Sequence, residues 1–160
     1  MRSRFLALWF CTLVAAPVAF ASGVEFVRVW PAWHEAQDFE RISEFFSHTE
    51  GTGGQIMLRT RPDTRTGFYF LARVRNPGAP VAGARLVLDV VQSVAPRTAT
   101  YTFPAALPSG SQVFQVGLTG AYWPGGKTMH PIAWRIRLLG ADGGLLAGQQ
   151  SFLWAEPDPQ

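Results

Sequence analysis

The sequence predicts a mainly β protein, an antiparallel β-sandwich of about seven strands with one short N-terminal amphipathic helix. Three observations lead there. Apolar and polar residues alternate with period two through most of residues 55–154, the pattern of strands buried on one face. Turn-forming clusters interrupt the alternation at short intervals, as they do in sandwiches. The single cysteine, Cys11, lies in an apolar N-terminal run, so the folded part must rely on its core and not on disulfides.

That N-terminal run is the first element. Met1-Arg2-Ser3-Arg4 is a short positive start, Phe5 to Phe20 is almost unbroken apolar, and Ala19-Phe20-Ala21 places small residues just before Ser22. The order is that of a secretory signal peptide spanning residues 1–21. Pro17 interrupts the run, which is shorter than the roughly 18–20 residues a spanning helix needs. An uncleaved anchor is the lesser alternative, and no stable membrane span is expected after cleavage. Cys11 sits inside the run, away from the cleavage point, which sets a lipoprotein aside.

Cleavage changes the charge. It takes Arg2 and Arg4 from the 14 basic residues and none of the 11 acidic ones, so the net charge falls from +3 to +1. The remaining bases are spread along the chain, which argues against nucleic acid and against a polybasic membrane patch. With Cys11 gone, the exported chain has no disulfide, thiolate metal site or cysteine nucleophile. Its 139 residues of the original 160 suffice for one domain, which buries about two-thirds of its unfolded surface. Arg outnumbers Lys 13 to 1, and the only Asn, Asn76, precedes Pro77, so no glycosylation acceptor exists. This composition fits a bacterial periplasmic or secreted protein.

Residues 22–54 form the approach to the sandwich. Val24 to Trp30 reads as a strand. From Ala32 to Ser47 the apolar spacing becomes helical, with Ala36, Phe39, Ile42, Phe45 and Phe46 opposite Glu35, Asp38, Glu40, Arg41 and Glu44. An amphipathic helix follows from that spacing, with Pro31 in its first turn or with Asp38 capping a shorter helix that begins at Phe39. Thr49 to Gly54 is a connector. The helix is expected to plug an open edge or end of the sandwich.

Strands are expected near 55–61, 67–75, 84–92, 98–103, 112–119, 131–139 and 145–154. Phe68, Phe70, Ala72 and Val74 share one face of the second; Ala84, Leu86, Leu88 and Val90 share one face of the third. Ala99, Tyr101 and Phe103 alternate with Thr98, Thr100 and Thr102, and Phe114, Val116 and Leu118 form the next set. Ile132, Trp134, Ile136 and Leu138 alternate with Ala133, Arg135 and Arg137. Asn76-Pro77-Gly78 marks a loop and Asp142-Gly143 a tight hairpin. Residues 155–160 are a tail.

The run Gly67-Phe68-Tyr69-Phe70-Leu71-Ala72-Arg73-Val74 reads as an early central strand and Ala133-Trp134-Arg135-Ile136-Arg137-Leu138 as a late one. Ala141-Asp142-Gly143-Gly144 and a last strand ending Ser151-Phe152-Leu153-Trp154 follow. In this, residues 55–154 resemble an immunoglobulin-like or fibronectin type III-like sandwich. The paired cysteines of antibody domains are missing, which excludes that branch. Such a fold hosts many functions and transfers none of them.

Candidate chemistry is sparse. Gly126-Lys127-Thr128 spells the end of a phosphate loop, but Ala121 stands where its first glycine belongs, Pro124 removes a backbone donor, and a strand follows. No metal-ligand spacing links His34, His48 and His130; the first two belong to opposite ends of the expected helix. There is no Gly-x-Ser-x-Gly elbow, and no carboxylate pair can be assigned to a glycosidase cleft. No cofactor is expected. Aromatic residues are the surplus. Trp134 belongs to the core and Trp154 is a candidate to close it. Trp30 and Trp33 can pack the helix onto the sandwich, and Trp123 can cover its end. As surface groups, Trp33, Tyr122, Trp123, Lys127 and His130 are the candidate contacts for a ligand or partner.

These observations favour an exported, non-catalytic sandwich that binds another envelope or secreted protein, or works within an assembly. A carbohydrate-binding module using Tyr122 and Trp123 is the first alternative. A small exported hydrolase with a spatially assembled site is the second.

Overall fold

Period-two alternation folds as its spacing requires, into two four-stranded sheets packed face to face. The computed structural model describes residues 23–39 and 54–154; the expected signal peptide, most of the expected helix and the C-terminal tail lie outside them. The first sheet has the order β1-β3-β6-β2 and the second β5-β4-β7-β8. The strands are β1 (Glu25–His34), β2 (Ile56–Arg59), β3 (Gly67–Asn76) and β4 (Val81–Gln92). They continue as β5 (Ala95–Leu107), β6 (Gly110–Thr119), β7 (Pro131–Leu139) and β8 (Leu145–Gln150).

Strand order makes this an immunoglobulin-like sandwich. In β1-β3-β6 and β5-β4-β7-β8 the neighbours match strands A-B-E and C′-C-F-G of that fold. The position of strand D is taken by β2, which runs parallel to β6 from Ile56 opposite Phe114 to Arg59 opposite Gly117. Every other pairing is antiparallel.

The alternating apolar sets meet between the sheets. Phe68, Phe70, Ala72 and Val74 from β3 pack with Leu86, Leu88 and Val90 from β4, Phe114, Val116 and Leu118 from β6, and Ile136 and Leu138 from β7. Trp134 joins them, its ring edge-on to Phe70 at 5.7 Å. Asn76 is buried at a loop where its amide donates to the carbonyls of Ala79 and Pro108. The Asp142-Gly143 hairpin forms, with Gly143 at φ 84° and its N–H donating to Gly140.

Three expectations need correction. Residues 32–34 are strand, not helix: β1 runs through Pro31 to His34 and pairs along β3 as the edge of the first sheet. An edge strand tolerates the missing proline N–H. His34 therefore ends a strand, and His48 lies outside the described residues. The described start of the expected helix, Ala36–Phe39, is a single 3₁₀ turn. It lies on the outer face of the first sheet, where Phe39 meets Tyr69 at 4.8 Å between centroids; the rest of the expected helix, and with it the expected plug of an edge or end, lies outside the described residues. Finally, Trp154 does not close the core. It lies under the Arg135 guanidinium, 4.8 Å from its ring centre, on the outer face of the second sheet.

Both outer faces bury residues that alternation alone would leave in water. Tyr69 points away from the core yet is fully buried, with His34 and Phe39 packed against it and Arg59 donating to its hydroxyl. Its ring fits because Gly117 stands beneath it; a Cβ there would collide with the ring carbons. On the second sheet Asp89 is buried, held by the Thr100 hydroxyl at 2.7 Å and by Arg135 and Arg137 at 3.2 and 2.9 Å.

Candidate binding site

The stretch from Gly120 to His130 joins β6 to β7 and carries four of the five candidate contact residues. Two 3₁₀ turns, Gly120–Tyr122 and Gly126–Thr128, break its period, so neighbouring side chains take unrelated directions. Trp123 turns inward. It is 3% exposed, stacks on Phe68 with centroids 4.5 Å apart, and donates its indole N–H to Gly126 at 3.0 Å. Tyr122 turns outward and is 43% exposed.

The candidate residues therefore fall into two groups. Trp123, His130 and Trp33 surround Phe68: His130 approaches its ring edge-on at 5.9 Å, and Trp33 stands opposite it across the β1–β3 ladder. Lys127 closes this side through an ion pair with Glu35 at 3.3 Å. Both of its partners are well exposed, and such pairs contribute little to stability. The indole nitrogen of Trp33 is buried with no hydrogen-bond partner among the described residues. Within this group Trp123 seals the sandwich and offers no face to a ligand, while Lys127 and His130 are exposed beside it.

Tyr122 faces a cavity. It lies at the end of the second sheet between the β4–β5 hairpin and the 121–124 stretch, with a volume of about 280 Å³. Tyr101 stands beside Tyr122, ring edge to ring face, at 5.7 Å. Arg97 and Thr98 add polar groups, while Val94 and Pro124 give apolar wall. Gln92 fixes the loop to β4 by donating its side-chain amide to the Tyr122 carbonyl at 2.9 Å. Burial, and then the neighbouring Tyr122 hydroxyl, hold the Tyr101 phenol above its ordinary range near 10.0. Arg97 has no acidic partner among the described residues.

The geometry does not give the two rings a common flat surface: Trp123 is in the core, and Tyr122 meets Tyr101 at 86°. The sequence reading missed Arg97, Val94 and Gln92, and it gave Tyr101 only a place in the alternation of Ala99, Tyr101 and Phe103. The alternation of Ala99, Tyr101 and Phe103 does point Tyr101 inward. What it omits is that β5 is an edge strand, whose inward side chains can line an opening.

A second opening lies farther along β5. Phe103 and Pro104 face Met57, Leu58 and Pro62 across a groove of about 330 Å³. Elsewhere, Phe152 is fully exposed in the turn after β8. Among the described residues no cluster of three or more His, Cys, Asp or Glu could hold a metal ion. None of their helices is long and apolar enough to cross a membrane.

No protein-family model matches the chain, and no curated protein sequence matches it. Among solved structures it is similar to an immunoglobulin-like protein from Pseudomonas aeruginosa, 14% identical, with a TM-score of 0.33. The match covers 82% of this chain and 96% of that one.

Proposed function

We propose that the protein is exported and works by binding another envelope or secreted protein, with the cavity between Tyr101 and Tyr122 as its contact site. The observation that supports this reading is the cavity's composition. Two phenols, one guanidinium without an acidic partner among the described residues and an apolar wall surround it. Its lining has no carboxylate, imidazole or thiol to serve as a base or metal ligand, so the groups suit recognition and not bond-making. Tyrosine and arginine beside an apolar wall are the residue types that anchor protein interfaces. Export rests on the Met1 to Ala21 leader.

The experiment is site-specific photocrosslinking in a bacterial host that processes the leader. A photoreactive residue at position 122 should give a discrete adduct in the envelope or secreted fraction, with a partner identified by mass spectrometry. The same residue at Arg85, exposed on the outer face of the second sheet, should not. Retention of an unprocessed chain in the cytoplasm, or equal labelling from both positions, would overturn the reading.

A further inference from the structure

We infer that the free edge of β5 accepts an extended segment of the partner as an added strand, anchored by an acidic side chain on Arg97. This rests on the protein-binding reading above and specifies how that binding is made.

β5 is the longest strand, 13 residues, and it pairs only with β4 among the described residues. An edge of that kind presents unpaired N–H and C=O groups and templates pairing with another chain. Pro96 and Pro104 cannot donate to a new ladder, so they bracket the usable window at Arg97–Phe103. Within it the sequence Arg-Thr-Ala-Thr-Tyr-Thr-Phe is rich in the β-branched and aromatic residues that favour strands. It carries no lysine, and its one charge, Arg97, stands at the start of the window, where it lines the first opening.

The two openings lie along this same window. Ala99 and Tyr101 line the first, and Phe103, the next inward residue, lines the second. Strand addition works in this way: main-chain hydrogen bonds give affinity, and pockets for alternate side chains give specificity. The first opening has Arg97, unmatched among the described residues, and two phenol hydroxyls, which suit a carboxylate. The second is lined mainly by Met57, Leu58, Pro62, Phe103 and Pro104, with Arg59 at its side, and suits an apolar side chain.

A second copy of the same edge fits less well. β5 has no acidic residue, so two copies paired through it would leave each Arg97 without a carboxylate from the other. The occupant is therefore a segment of a different chain, extended, with an acidic residue and an apolar one placed on the same face.

The test uses a random peptide library displayed on phage and selected against the purified protein. Enriched peptides should alternate apolar and polar residues and hold Asp or Glu at one fixed position. Selection against Arg97→Glu should replace that acid by Lys or Arg and keep the apolar positions. Tyr122→Ala should weaken the best wild-type peptide by about tenfold, the effect of losing one good contact. Hydrogen exchange should show new protection confined to Thr98–Thr102 when peptide is bound. An acidic preference that persists in Arg97→Glu, or protection that appears elsewhere, overturns the proposal. So does no enrichment at all, or protection of the window that appears with protein concentration alone, the sign of self-pairing. A position-122 crosslink together with an unprotected β5 edge would sink strand addition while leaving the binding reading intact.

Discussion

The two long flanks of the sandwich are finished differently. Along one, β1 and β8 lie against each other, and Trp123, His130 and Trp33 close the adjoining end over Phe68. Along the other, β5 faces β2 across a groove of mostly apolar residues that also includes Arg59, and above it Tyr101 and Tyr122 stand around an open cavity. One connecting stretch serves both sides, sending Trp123 to the sealed flank and Tyr122 to the open one. The lesson is that interactions on the sealed flank are spent on folding, while those on the open flank remain available to a partner.

The largest effect should come from breaking the sealed flank. Trp123→Ala removes a buried indole, its stack on Phe68 and its bond to Gly126. Truncation of a buried aromatic costs about 3–5 kcal/mol. Denaturant unfolding should show that loss as a lower midpoint. A change under about 1 kcal/mol would mean that the loop holds its place without the indole, and the contrast between the flanks would fail.

A smaller loss should follow from crowding the outer face of the first sheet. At Gly117 an added Cβ meets the Tyr69 ring, and overpacking of this kind costs roughly 1–3 kcal/mol. Gly117→Ala should destabilise, and Gly117→Ala combined with Tyr69→Phe should not recover the loss, because the clash is with ring carbons and not with the hydroxyl. Recovery in the double variant would show that the Tyr69 hydroxyl, bonded to Arg59 and to the Arg65 carbonyl, sets the ring position instead.

These two sites also show what the sequence can and cannot convey. Period two assigns a residue to a face, and it did so for the apolar sets of β3, β4, β6 and β7. It does not say what covers that face. Tyr69 and Asp89 point outward and are nonetheless buried, one under Phe39 and the other under Arg135 and Arg137. Ala32 to His34 looked helical because the apolar spacing that follows them is helical; pairing with β3 outweighs that local signal. The parallel direction of β2 follows from where the chain re-enters the sheet, which no local pattern records. The cavity draws on the β4–β5 hairpin and on residues 121–124, segments joined only by tertiary packing. Of its polar lining, only Tyr122 stood out in the sequence as a surface aromatic in a turn-rich stretch.

On the open flank, side-chain removal should leave stability almost untouched. Tyr122→Ala deletes a ring that is 43% exposed, and surface changes of this sort stay within about 0.5 kcal/mol. The sharp form of the comparison is therefore one pair of neighbours: Trp123→Ala lowers the unfolding midpoint, and Tyr122→Ala does not. An equal loss in both would make the open flank part of the fold.

The smallest effect tests how closed the cavity is at Tyr101. Burial and the adjacent Tyr122 hydroxyl raise the Tyr101 phenol above 10.0, so the folded state favours its neutral form. The unfolded chain then ionises first as pH rises. The stability contribution is complete below pH 10 and is lost as pH climbs through the folded-state value. Phenolate absorbance should show Tyr101 titrating after unfolded tyrosine. In Tyr122→Phe it should move down only slightly, because burial is the larger cause and the neighbouring charge the smaller. A complete return to the ordinary value in that variant would make the charge of Tyr122 the main cause. The Tyr101 ring would then be well hydrated, and the cavity too open to strengthen the attraction between Arg97 and a carboxylate above its value in water.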